Sequence, residues 1–124
     1  MTKSILIAAF FCAFAGAARA ECGTDLEAEE AKVSAAKTCR EARAIYEACL
    51  WGSTADVSRG ATARTKCEAD FLPGANAATK ARYNRALSAC AKKYARMDGS
   101  MYRSAAASCA ADAAFAFARK ARAP

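Results

Sequence analysis

Cysteine is the residue type that offers this chain most of its chemistry. The 124 residues contain 7 cysteines and no histidine. Without histidine, neither a Ser-His-Asp triad nor a Cys-His pair can form, and there is no C-x-x-C motif for thioredoxin-type redox chemistry. Structural zinc sites favour ligands closer in sequence than Cys39 and Cys49. We therefore predict no catalytic residue, no metal site and no cofactor, and we interpret the cysteines as disulfide partners.

The start of the chain has the pattern of a cleaved signal peptide. Lys3 supplies a positive charge, residues 5–15 form an apolar run, and residues 18–20 are Ala-Arg-Ala, which fits the rule for signal peptidase. The run is shorter than the roughly 20 apolar residues that span a bilayer. We predict that residues 1–20 are removed and that residues 21–124 form one domain without a transmembrane segment.

Removal of the signal peptide leaves an even number of cysteines in a compartment where disulfides form. Cys12 leaves with the peptide, and the remaining cysteines are Cys22, Cys39, Cys49, Cys67, Cys90 and Cys109. The mature chain is rich in alanine, whose burial contributes little because transfer free energy scales with area, at roughly 25 cal/mol per Å². A native disulfide contributes about 2–4 kcal/mol. We expect disulfides to compensate for a light core.

Composition and turn residues predict a helical protein that must position these cysteines. Alanine, arginine, lysine and glutamate favour helix. Breaks are expected at Gly52-Ser53, Pro73-Gly74 and Asp98-Gly99-Ser100, and the predicted helices span about residues 25–51, 54–72, 77–97 and 101–121. Short connections make neighbouring helices antiparallel. The predicted fold class is all-α, a small disulfide-stapled bundle of about four helices arranged as two antiparallel helical hairpins.

The predicted helices carry apolar residues at alternating steps of three and four, and every cysteine after Cys22 lies in such a row. In the last helix the predicted buried row is Tyr102, Ala106, Cys109, Ala113 and Phe117. This placement favours buried bridges over exposed reactive thiols.

Two disulfide pairings remain open from the spacing. The first joins Cys39 to Cys67 and Cys90 to Cys109, and it leaves Cys22 with Cys49. A straight first helix forbids that last bridge, because its cysteines would lie at opposite ends. The second scheme joins Cys49 to Cys90, Cys39 to Cys109 and Cys22 to Cys67, and it is the one we favour.

The third predicted helix is the most basic element of the chain. Its cations are Lys80, Arg82, Arg85, Lys92, Lys93 and Arg96. They indicate either a patch that faces an acidic protein, a polysaccharide or membrane headgroups, or an ordinary solvated helix surface. The whole chain has a net charge of +7, which falls to +5 without Lys3 and Arg19.

Four large apolar residues flank the first and last turns, which share one end of an up-down bundle. They are Trp51, Met97, Met101 and Tyr102. Two interpretations are open: a lid over the core, or a patch that binds a partner.

These features favour an exported, cysteine-rich helical protein that binds another macromolecule or has a structural role, without catalysis. We expect it in the periplasm or outside the cell, with an envelope protein, an extracellular protein or an anionic surface as partner and no nucleic acid. The alternatives are a lipid or small-ligand carrier with a cavity between the hairpins, and a cationic membrane-active protein.

Overall fold

The structure, a computed structural model, describes residues 22–124. Within that range the chain forms helices and no strands, which confirms the all-α fold class. The helices are α1 (Leu26–Ala35), α2 (Cys39–Ala48), α3 (Ala55–Glu68), α4 (Ala77–Tyr94) and α5 (Ser100–Arg122). The predicted signal peptide lies outside the described residues. None of the described helices is long and apolar enough to cross a membrane.

The first predicted helix is two helices, because the chain breaks between Ala35 and Cys39. Thr38 starts α2 by accepting a hydrogen bond from the backbone N–H of Glu41 at 3.1 Å, and the Glu41 carboxylate accepts one from the N–H of Lys37 at 2.8 Å. This reciprocal pair resembles a capping box, which fixes a new helix start. Instead of continuing straight, α2 folds back along α1.

The disulfides follow from this fold-back. The bridges are Cys22–Cys49, Cys39–Cys67 and Cys90–Cys109. The pairing that we favoured is therefore wrong, and the other pairing that the spacing left open is present. A straight helix would separate residues 22 and 49 by about 40 Å, whereas the turn between α1 and α2 brings their Cα atoms to 5.4 Å.

Helices α3 and α5 run parallel through the centre of the molecule. Near their starts, Ser104 Oγ donates a hydrogen bond to Asp56 at 2.7 Å. Beyond the end of α3, the Phe71 ring packs against Phe117 of α5. At Gly60 the helices approach so closely that an added Cβ would lie 3.1 Å from the Cβ of Ala107. The contact between α3 and α5 therefore depends on small side chains, which let the two helices approach closely.

A buried ion pair closes the turn between α2 and α3. Asp56 and Arg59 are both fully buried. Asp56 accepts hydrogen bonds from the backbone N–H groups of Trp51 and Ser53, each at 3.1 Å. Arg59 donates to Asp56 and, at 2.7 Å, to the carbonyl oxygen of Cys49. The network joins the α2–α3 turn to one bridge directly and, through Ser104, to α5.

Candidate anion-binding face

Helix α4 lies at the side of the molecule, where α5 is its helical neighbour. Its two buried residues are Tyr83 and Cys90. Cys90 is bonded to Cys109 of α5. The Tyr83 ring lies 4.9 Å from that of Phe71 and 5.2 Å from that of Phe117, measured between ring centroids. One bridge and one aromatic cluster therefore hold α4 and leave its opposite side open to solvent.

The Tyr83 hydroxyl fixes the orientation of this contact. It donates a hydrogen bond to Glu68 Oε1 at 2.6 Å. Burial raises the pKa of Tyr83 far above its usual value, and the hydrogen bond to the Glu68 carboxylate raises it further. The phenol therefore stays protonated, and it donates to α3 at any physiological pH.

The open side of α4 is basic. All six predicted patch residues are exposed. Between Asp70 and Asp98 the chain has no acidic residue. Within residues 22–124 none of the six cations forms an ion pair. Their charges are therefore not neutralised by neighbouring side chains.

The structure brings five of the six cations together. At 100° per residue, Arg82, Arg85, Lys92 and Lys93 fall within an arc of about 100° on α4, and Arg96 follows the helical C-cap residue Ala95. We call this set of five the α4 basic face. Lys80 lies outside it and instead lines a groove between α3 and α4. The six-residue patch is thus a five-residue face plus one separate lysine.

Alanines make the α4 basic face flat. Ala78 and Ala89 fall within the same arc, and both are exposed. With only methyl groups between the cations, an extended partner can approach the helix backbone closely and reach several of them at once. The alternation of alanine and cation is visible in the sequence.

No known protein family matches this chain, and no curated protein or solved structure is significantly similar to it.

The predicted interface of Trp51, Met97, Met101 and Tyr102 is partly exposed. Trp51 is 37% exposed, Met97 48% and Met101 59%, while Tyr102 is half-buried. The guanidinium of Arg59 lies 5.2 Å from the Trp51 ring centroid and anchors it. Side chains this exposed do not form a closed lid over the core, and the partner-binding interpretation stays a prediction.

Proposed function

We propose that this chain is an exported, disulfide-stapled module that binds a polyanion at the cell envelope or outside the cell through its α4 basic face. The observation that carries the proposal is the row of five cations without a carboxylate among them. Ordinary solvated helix surfaces mix both signs of charge and form ion pairs along the helix. The proposed role is binding, not catalysis.

The disulfides support the exported location. Three bridges in a domain of this size indicate folding in an oxidising compartment. The signal pattern of residues 1–20 provides a route to such a compartment. We place the protein in the periplasm or outside the cell, where acidic polymers and anionic headgroups are available partners.

Salt dependence and targeted substitution test this function. In the variant Arg85→Ala/Lys92→Ala/Arg96→Ala, affinity for anionic vesicles and acidic polymers should fall about 10-fold or more at physiological salt, because each cation contributes up to roughly 1 kcal/mol at an anionic surface. Binding of the unaltered protein should weaken steadily as salt rises. Fluorescence anisotropy or vesicle sedimentation measures both effects.

A second triple variant controls for net charge. Lys37→Ala/Lys66→Ala/Arg103→Ala removes the same number of cations from outside α4. Its affinity should stay within about 2-fold of the unaltered protein, because a discrete face and not total charge drives binding. Equal losses in the two triple variants would show that α4 has no special role.

A lipid carrier is a second candidate function, favoured by the groove between α3 and α4. This groove has a volume of about 610 Å³, and its lining includes Leu72, Leu87 and Lys80. An acyl chain fits such apolar walls, and the Lys80 ammonium can pair with a carboxylate or phosphate at the rim. Lipid that co-purifies with the exported protein, detected by mass spectrometry, would favour this candidate.

A further inference from the structure

A pocket lies where α4 begins, next to the end of α5. It has a volume of about 570 Å³ and lies between the α3–α4 turn, the first turns of α4 and the last turns of α5. Phe71 and Phe117 supply its apolar part, and Asn76, Thr79, Arg82 and Lys120 supply its polar part. We call it the Phe71–Phe117 pocket.

We propose that the Phe71–Phe117 pocket binds one sugar residue of an acidic polysaccharide whose chain continues along the α4 basic face. The inference rests on the proposed function and names the chemical class of its polyanion. A sugar ring has an apolar C–H surface and a rim of hydroxyl groups, and the pocket offers aromatic rings beside amide, hydroxyl and charged groups.

Arg82 connects the pocket to the face. It lines the pocket and is also the first cation of the α4 basic face. From Arg82 to Lys93 the helical rise is about 17 Å, and Arg96 lies just beyond the end of α4. A polyanion with one residue in the pocket can therefore continue along α4 and contact Arg85, Lys92 and Arg96. A single small anion would use the pocket and leave those cations unoccupied.

The polar lining favours a sugar over an acyl chain. Asn76 Oδ1 caps α4 by accepting from the N–H of Thr79 at 2.8 Å, so its side-chain amide nitrogen is left to donate to a ligand. Arg82 donates to Thr79 Oγ1 at 3.3 Å and keeps further donors. A hydrocarbon chain would cover these groups without replacing their hydrogen bonds to water, which is unfavourable for each group left unpaired. Sugar hydroxyl and carboxylate oxygens accept such bonds.

Asp70 in the pocket is compatible with an anionic ligand. Its carboxylate is paired with the Arg122 guanidinium at 2.5 Å, which offsets its charge. The remaining oxygen lone pairs can accept hydrogen bonds from sugar hydroxyls. Arg82 and Lys120, which also line the pocket, make its net charge positive.

Two pocket variants test the proposal with a polyuronate, polyphosphate of equal charge and phosphatidylglycerol vesicles as probes. Thr79→Phe fills the pocket, and Lys120→Ala removes a cation that is not on the α4 basic face. Each should lower polyuronate affinity about 10-fold and change polyphosphate affinity less than about 2-fold. Arg119→Ala, which removes a neighbouring charge outside the pocket, is the matched control and should bind like the unaltered protein. Unchanged melting temperatures verify the folds.

The outcomes separate this proposal from the function on which it rests. Polyuronate binding that both pocket variants retain would overturn the pocket assignment, while loss in the α4 triple variant would still support the function. Equal or tighter binding of polyphosphate or vesicles by the unaltered protein would overturn the choice of a sugar. If none of the three probes shows salt-dependent binding, both the pocket assignment and the proposed function are overturned.

Discussion

Asp56 is the residue on which the local structure around the α2–α3 turn depends most. Its buried carboxylate accepts hydrogen bonds from two backbone N–H groups, the Ser104 hydroxyl and the Arg59 guanidinium. A buried charge is tolerated only when it is paired and hydrogen-bonded. The sequence alone does not reveal this network, because the fold brings the partners on α5 and in the preceding turn to Asp56.

The variant Asp56→Asn should be strongly destabilised. The amide cannot neutralise Arg59, and loss of one partner from a buried ion pair costs about 3–5 kcal/mol. Chemical denaturation measures the change in unfolding free energy. Asp112→Asn, which alters a carboxylate that is 55% exposed, is the control and should lose at most about 1 kcal/mol. Similar losses in both variants would contradict the special role of the buried site.

Stability should also depend on pH through Asp56. Burial by itself would raise the pKa of Asp56, but hydrogen bonds from Ser104 and from the turn backbone outweigh it and place the pKa below its usual value. The unfolded chain therefore takes up the proton first, at about pH 3.9. The stabilisation is complete above that pH and is lost as the pH falls through the lower folded-state value.

Chemical denaturation at pH values from 6 to 2 should show this loss of unfolding free energy. In Asp56→Asn the unfolding free energy should depend less steeply on pH. A smaller dependence of the unfolding free energy on pH should remain because of Glu29. Its pKa is lowered by a hydrogen bond from Lys32 and another from the N–H of Gly23. If the variant loses as much unfolding free energy at low pH as the unaltered protein, Asp56 is not the group responsible for that loss.

At the scale of elements, the break between α1 and α2 separates prediction from structure most clearly. Alanine and lysine around the break favour helix, so propensity predicted one long element. The signal that was missed is Thr38 with Glu41, a capping pair inside a helical stretch. The favoured disulfide pairing is wrong for the same reason, because a straight first helix would hold Cys22 and Cys49 far apart.

Helix α5 shows a second limit of sequence reasoning. The predicted buried row was Tyr102, Ala106, Cys109, Ala113 and Phe117, whereas the buried residues are Ser104, Ala111, Ala114 and Ala118. Rows of large residues usually mark the buried side, but here the closest contact is made by small ones. The predicted row instead faces α4, where Cys109 is bonded to Cys90 and Phe117 packs against Tyr83. Hydrophobic size alone therefore does not predict the side of α5 that packs on α3.

Gly60→Ala should destabilise the α3–α5 contact although alanine favours helix. Its Cβ would lie 2.8 Å from the Tyr46 hydroxyl oxygen and 3.1 Å from the Ala107 Cβ. The gain in helix propensity is about 1 kcal/mol, whereas overpacking costs about 1–3 kcal/mol. Thermal denaturation should show a net loss. Gly74→Ala, whose Cβ meets no atom within 4 Å, should be neutral or slightly stabilising.

The whole molecule agrees with the prediction of a light core supported by disulfides. The buried apolar positions are dominated by alanine, cysteine and tyrosine, with Val33 and Phe71 as the remaining members. Composition made this predictable, since it fixes which side chains are available. The arrangement of the α4 basic face could be predicted only in part, because the side of α4 that packs on α5 depends on where Cys90 and Tyr83 meet their partners.

Removal of the bridge between α4 and α5 should release α4 before the rest of the protein unfolds. The variant Cys90→Ala/Cys109→Ala should lose about 2–4 kcal/mol and exchange its α4 amide hydrogens faster than those of α3. Hydrogen exchange with mass spectrometry measures this. Uniform protection in α4 and α3 would show that Tyr83 alone is sufficient to hold α4.

The order of the bridges divides the chain into two covalently closed halves. Cys22–Cys49 and Cys39–Cys67 overlap along the sequence, Cys90–Cys109 stands apart, and none of the three crosses residues 68–89. A protease that cuts at the exposed Pro73-Gly74 turn would therefore yield two fragments with no bond between them. They would remain associated by noncovalent contacts, chiefly the packing of α3 against α5. The protein is thus a natural candidate for fragment complementation, in which two separately produced pieces reassemble by helix packing.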